Sequence, residues 1–306
     1  MNTDLSGIGN DVMRDWSSER VAGLVGARSP VGKCLIRALT VGGCKVCAFS
    51  RRDQSNDDDT DVIWRQLTPP SIPRLAIPSW VFLAHIWVLP EYFSMLEAYG
   101  ARRIVALSST SRFTKAGSSD LAERALAERL AEAEETVTNW ANARDVACTI
   151  LRPTLIYGGG RDRNISEMAA FIRRFGFFPL VGQARGLRQP VHVEDVAAAC
   201  AAALSGSAAG VRAYDISGGE ILSYRDMTSR VFAAMGRPER LVPIPLAAIK
   251  AGVGLARFLP RFHHWSPGMA ERMSLDMVFD HEAATTDFGF RPRRFRLSAE
   301  DVTATD

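Results

Sequence analysis

From residue 21 onward, short apolar runs alternate with stretches in which apolar residues recur every three or four positions. The runs at 21–25, 46–49, 62–67, 80–85, 103–107 and 147–151 predict strands, and the helical spacing at 32–40, 91–99 and about 120–143 predicts helices between most of them. Such alternation implies an α/β chain with a doubly wound parallel sheet and helices on both faces. Past residue 152 the texture changes. Helices are expected at 166–175, 193–204, 223–235 and 245–258, with short strands at 178–181, 186–191 and 213–216, which together describe a smaller C-terminal α/β lobe. The expected organisation is a polar leader over 1–19, a sheet domain over 20–152 and the lobe over 153–306, with some segments returning to the sheet.

The junction of the first strand and first helix carries the most chemistry. Val21 to Val25 runs into Gly26-Ala27-Arg28-Ser29-Pro30-Val31-Gly32 and then into an apolar helix pattern at Val31, Cys34, Leu35 and Leu39. A buried strand, a tight turn and a helix start form the place where a Rossmann-type sheet holds a dinucleotide pyrophosphate. Gly26, Ala27, Arg28, Ser29, Val31 and Gly32 are therefore expected to form a phosphate loop. At the end of the second strand stand Ser50, Arg51 and Arg52, with no carboxylate before Asp53. An acidic residue there suits the ribose hydroxyls of NAD, whereas guanidinium groups suit a 2′-phosphate, so NADP is the preferred cofactor and NAD the other.

Composition narrows the classes. A hydrophobic fraction of 47%, a charged fraction of 23% and a formal charge of +3 describe an ordinary globular chain with no basic surface calling for nucleic acid. The opening twenty residues are polar and acidic, unlike a signal peptide, and the run at 80–93 is too short and too interrupted to span a bilayer. A cytoplasmic protein with no transmembrane segment is expected. Five cysteines fit a reducing compartment. Cys44 and Cys47 have redox-pair spacing, but three residues apart on a strand they point to opposite faces, so both are read as structural and no metal site is expected.

Several further segments, in order along the chain, resemble the NAD(P)-dependent epimerase/dehydratase family, the extended short-chain dehydrogenases. They are the glycine loop, Leu83-Ala84-His85, Leu107-Ser108-Ser109-Thr110, Leu151-Arg152-Pro153-Thr154-Leu155-Ile156-Tyr157-Gly158, Arg188 to Ala197, and Phe288-Gly289-Phe290-Arg291-Pro292. In the phosphate loop, Ser29 stands where the family's middle glycine would be. The resemblance implies that Leu83, Ala84, His85, Pro153, Leu155 and Ile156 contact the cofactor. It implies a substrate pocket near Tyr157, Arg161, Asp162, Asn164, Arg188 and His192, whose arginines suit a diphosphate or carboxylate.

Catalysis is where the chain departs from the family, whose acid/base Tyr and helper Lys lie on the helix before the strand at 147–151. That helix, about 120–143, contains neither residue. The remaining candidates are Ser108, Ser109, Thr110, Lys115 and His192. Two functions are consistent with this pattern. One is an NAD(P)-binding epimerase/dehydratase-like or oxidoreductase-like protein acting on a sugar or nucleotide-sugar. The other is a non-catalytic NADPH-binding structural or regulatory subunit, since an atypical subgroup of the family that includes an accessory subunit of mitochondrial respiratory complex I also lacks the pair. The broad apolar stretch at 245–260 is expected to cap the lobe's core, with a peripheral membrane or partner contact as the alternative.

Overall fold

The computed structural model describes residues 20–51, 59–67, 75–160, 162, 164–206, 208–248 and 267–303. The polar leader, most of the acidic run at 53–59, Arg52, Arg161 and all of 249–260 lie outside the described residues. Among the described residues thirteen strands occur in the order β1 Val21–Val25, β2 Lys45–Ser50, β3 Val62–Gln66, β4 Ser79–Phe82, β5 Arg103–Leu107, β6 Ala147–Pro153, β7 Ile156–Tyr157, β8 Phe178–Val181, β9 Leu187–Arg188, β10 Val191–His192, β11 Val211–Ile216, β12 Leu222–Ser223 and β13 Leu241–Ile244. Seven of them make one sheet, ordered β11-β6-β5-β4-β1-β2-β3, and each pairing from β3 across to β6 is parallel. The chain thus winds outward from β1 in both directions, the doubly wound arrangement expected from the alternating pattern. Among the described residues no helix is long and apolar enough to cross a membrane.

The central strands are buried on both faces, so they read as continuous apolar runs rather than alternating ones. The run at 80–85 is shorter as a strand than its apolarity suggests. After Phe82 the chain leaves the sheet, and a 3-10 helix covers Ile86–Tyr92 before the α-helix Phe93–Ala98. Pro90 within that segment lacks an amide for a regular α-helix. The long helix Leu121–Ala143 and the strand pair β5–β6 fall where the periodicity places them.

The described residues divide into two compact units, each assembled from three stretches of sequence. The first comprises Met1–Ser108, Ala133–Leu151 and Ala197–Ala213; the second comprises Ser109–Glu132, Arg152–Val196 and Tyr214–Asp306. In the first unit Phe49, Trp80 and Tyr99 form an aromatic cluster with ring centroids 5.1–5.5 Å apart. Trp80 is fully buried and its indole N–H donates to the Ile77 carbonyl at 2.6 Å. In the second unit Tyr157, Ile165, Met168, Ile172, Phe232 and Phe295 belong to one apolar core.

Gly23, in the middle of β1, makes room for the Trp80 ring: a Cβ on Gly23 would lie 2.3 Å from Trp80 Cε3. Because the indole is enclosed, it has nowhere to retreat. Gly23→Ala is expected to destabilise the first unit by about 1–3 kcal/mol through overpacking, read as a lower urea midpoint. An unchanged midpoint would contradict this packing.

Candidate functional site

In the first unit the turn after β1 is built for close backbone approach. Gly26 has φ +87°, a left-handed conformation that suits glycine, and a Cβ there would sit 3.1 Å from the backbone of Leu83 and Ala84. The expected cofactor residues Gly26, Leu83 and Ala84 therefore come together, held by the Leu83 N–H donating to Val25 O at 2.8 Å. Gly32 lies directly under the turn, with its absent Cβ position 2.5 Å from Ala27 O.

Ser29, which replaces the family's middle glycine, has extended backbone angles of φ −66° and ψ 157° and needs no glycine there. It is the N-cap of the helix Pro30–Val41, its Oγ accepting from Gly32 N at 3.0 Å. This has a cost for an anion site. Pro30 has no N–H and the Gly32 N–H is taken by Ser29, so Val31 supplies the amide in the first turn that the helix does not use. Arg28 is exposed beside it. The tight turn over Gly32 and the Val31 amide fit a dinucleotide phosphate, with fewer backbone donors than an open helix start would offer.

Ser50 ends β2 half-buried, its carbonyl accepting from Leu67 N at 2.8 Å, and Arg51 is exposed. His85 is exposed, and its ring stacks on Trp87 with centroids 4.3 Å apart. Ser108, at the end of β5, donates its hydroxyl proton to Glu134 Oε1 at 2.5 Å. A serine has one hydroxyl proton, so Ser108 as placed cannot also donate to a substrate oxygen. Glu134 is 2% exposed and is a residue that motif reasoning missed. A signal was present: Ala127, Leu130, Glu134, Val137 and Ala141 share one helical stripe, so a carboxylate stands among core positions.

In the second unit Thr110 is buried and directs both its N–H and its Oγ1 to Pro153 O, each at 3.2 Å. Ser109 Oγ accepts from Ser111 N at 3.1 Å, a bond that leaves its own proton unused. Leu155 O accepts from Val191 N at 2.9 Å, which lays β10 beside β7 and its residue Ile156. Tyr157 is fully buried, its hydroxyl accepts from Arg296 N at 3.4 Å, and burial pushes its pKa up to about 12.

Of the expected substrate residues, Asp162 and Arg188 hold backbone groups. Asp162 Oδ1 accepts from the N–H groups of Asn164, Ile165 and Ser166, capping the helix Ile165–Phe175. Arg188 is 5% exposed, donates to the carbonyls of Leu187, Arg272 and Leu275, and lies over the Tyr224 ring. Its pKa is lowered to about 10, first by burial. His192 packs edge-on against Tyr157, and its Nδ1 accepts from Glu194 N at 3.2 Å. The neutral ring then carries its proton on Nε2, which faces Asp301 at 3.9 Å. Asp301 itself closes a capping box with Ser298 and accepts from Gly159 N at 3.4 Å. Nearby, Asp195 accepts from both the backbone and side chain of Arg293 at 2.9 Å. None of these C-terminal partners is legible from the local motif around His192.

Residues 91–217 match the model of the NAD dependent epimerase/dehydratase family. Over that stretch the chain resembles the family. Among curated proteins it is 31% identical over 159 residues to the NADH dehydrogenase [ubiquinone] 1 alpha subcomplex subunit 9, mitochondrial, of Arabidopsis thaliana, covering 51% of this chain and 37% of that protein. It is 29% identical over 175 residues to a 2-alkyl-3-oxoalkanoate reductase of Stenotrophomonas maltophilia, covering 50% and 49% respectively. The chain thus spans about half the length or less of these relatives. Among solved structures, UDP-glucuronic acid 4-epimerase from Bacillus cereus in complex with NAD superposes with a TM-score of 0.64 over 92% of this chain and 95% of that one, at 14% identity, a likeness of fold. The helix Leu121–Ala143 contains neither Tyr nor Lys.

The His192 environment yields a pH prediction. Burial lowers its pKa, Arg293 adds to the effect, and Asp301, Glu194 and Asp195 oppose it. A histidine with a depressed folded pKa contributes stability that is present above its unfolded value, near 6.5, and lost as pH falls through the folded value. His192→Asn keeps an acceptor for Glu194 N and removes the titration. Between pH 7 and pH 5 the parent protein should lose more stability than the variant, by at most about 1.4 kcal/mol per pH unit. Equal losses in denaturant titrations would contradict the assignment.

Proposed function

We propose that this chain binds a nicotinamide dinucleotide through the glycine turn of its first unit and acts on a hydroxyl or carbonyl group of a sugar or nucleotide-sugar. The observation that carries the proposal is the turn itself. Gly26 is left-handed against the Leu83–Ala84 backbone, and Gly32 lets the Gly26–Ala27 carbonyls pack directly onto the helix start. When bound, the nicotinamide would supply hydride exchange, while Val31 N–H and Arg28 would hold phosphate and Leu83–Ala84 would line the bound dinucleotide.

The exposed Arg51, with no carboxylate beside it on β2, supports NADP over NAD. Support for a nucleotide-sugar comes from the family and from the substrate class in the superposed epimerase's name. The cytoplasmic placement rests on the sequence alone.

A second reading has its own observation. With Ser108 and Thr110 engaged internally and no Tyr–Lys pair on the long helix, the family's usual proton route is missing. A cofactor held for structural or regulatory use, as a subunit of a larger assembly, accounts for the same facts. Turnover separates the two readings; dinucleotide binding is common to both.

Calorimetry tests that common part. The parent protein should bind NADPH more tightly than NADH, and removing Arg51 and Arg52 together should abolish the difference, at about 1.5–3 kcal/mol for a lost charge-assisted bond. Gly32→Val should eliminate binding while the fold persists. Pro30→Ala restores an amide at the first helical position and should tighten binding by roughly tenfold. Undiminished affinity in Gly32→Val would refute the phosphate-loop assignment, and equal affinities for the two cofactors would refute the preference.

A further inference from the structure

The C-terminal end of the helix Ile165–Phe175 carries an aromatic and cationic patch that lies wholly within the second unit. The helix closes with Phe171-Ile172-Arg173-Arg174-Phe175. Gly176 follows in the left-handed conformation, φ +76°, its N–H donating to Ile172 O at 2.8 Å. That reversal brings Phe177 back beside the helix. Its ring centroid lies 5.8 Å from that of Phe171 and 6.4 Å from that of Phe175, and the Phe171 and Phe175 centroids are 4.6 Å apart. Phe178 turns inward instead: it is 5% exposed, belongs to the unit's apolar core and lies 5.6 Å from Phe171. Three rings thus stand on a fourth anchored in the core, and Phe175 remains 46% exposed.

Arginines border these rings. Arg173 and Arg174 are exposed on the last helical turn, and Arg173 also donates to Val302 O at 2.6 Å. The exposed Arg237 donates to the carbonyls of Ile172 and Arg173 at 3.3 and 3.4 Å. Arg240, also exposed, precedes β13, and its carbonyl accepts from Phe178 N at 2.9 Å, which sets Arg240 level with Phe177. The nearest carboxylate in sequence, Glu239, stands 4.0 Å from Arg225. A helix C-terminus attracts cations, which accounts for Arg237. It does not account for an open phenyl ring set among four guanidinium groups. The rings have no polar atom to meet a protein's backbone, and Pro243 removes an amide from the neighbouring strand β13, which makes that strand a poor template for another chain. Phenyl groups rimmed by long cationic side chains suit an anionic bilayer surface, where rings enter the acyl boundary and guanidinium groups reach the phosphates.

We propose that Phe171, Phe175 and Phe177, with Arg173, Arg174, Arg237 and Arg240, dock the second unit on a bilayer rich in anionic phospholipid. Phe175 enters the acyl boundary and the arginines bind lipid phosphates around it. The contact is peripheral, since among the described residues no helix is long and apolar enough to cross a membrane. It is independent of the glycine turn, which belongs to the first unit.

Sedimentation of the full chain with vesicles tests the docking. The parent should pellet with vesicles of equal parts phosphatidylglycerol and phosphatidylcholine, stay in solution with phosphatidylcholine alone, and be released by added salt. Arg174→Gln combined with Arg240→Gln should weaken partitioning roughly 30-fold. Phe175→Ser should weaken it about tenfold. Both variants alter exposed side chains, so their melting temperatures should match that of the parent. In Phe175→Trp, brominated acyl chains should quench fluorescence beyond the quenching of the parent's own tryptophans, which places position 175 among the chains. A parent that ignores the anionic vesicles would overturn the proposal, as would binding that both variants retain in full. Self-association without vesicle binding, abolished by Phe175→Ser, would also overturn it and make the patch an interface between copies of the chain.

Discussion

Buried backbone amides and carbonyls must find partners, and in the second unit the loops find many of them in side chains. Three carbonyls converge on the Arg188 guanidinium, three amides on the Asp162 carboxylate, and the Pro153 carbonyl on Thr110. Asp301 and Asp195 do the same for the C-terminal segment at Gly159 and Arg293. Of these, Arg188, Asp162 and Pro153 are positions that the family resemblance assigns to ligand binding, and Thr110 is one of its catalytic candidates. Leaving any one of these backbone groups without its partner costs about 1–3 kcal/mol, so their use in holding the loops is a strong local constraint. It also accounts for the low solvent exposure of Arg188, a residue that is rarely buried unless every donor is occupied.

The same constraint separates what was legible from what was not. The seven-stranded sheet was readable because β1, β2 and β5 are buried on both faces and keep their apolar runs unbroken. The glycine turn was readable because its requirements are local: a left-handed Gly26 and an absent Cβ at Gly32. The consequence of Pro30 and Ser29 for the helix start was also written in the sequence, since a proline lacks an amide and a serine before it is a natural cap. By contrast, Arg188 meets carbonyls 84 and 87 residues away, and Asp195 meets Arg293 at a separation of 98. Periodicity and motif spacing carry no information about such pairs. Glu134 lies between these cases, a carboxylate visible on an apolar helical stripe whose partner Ser108 emerges only from the packing of the helix beside β5.

Set against the epimerase/dehydratase family it resembles, the chain has a glycine turn after β1 and no Tyr or Lys on its long helix. Two hydroxyls in the Ser108–Thr110 segment have directed their protons inward, and the long helix supplies no phenol or amine. Ser109 keeps a hydroxyl proton that its bond to Ser111 does not use. The two proposed readings, turnover of a substrate and a cofactor held for another purpose, both depend first on a dinucleotide seated in the glycine turn.

Hydrogen–deuterium exchange with and without NADPH tests that seating most directly, because it reports on the amides themselves. Bound NADPH should slow exchange across residues 26–33, with Val31 the most affected, and at the Leu83–Ala84 backbone, while the amides capped by Asp162 remain unchanged. Uniform exchange in both segments at saturating NADPH would contradict the account.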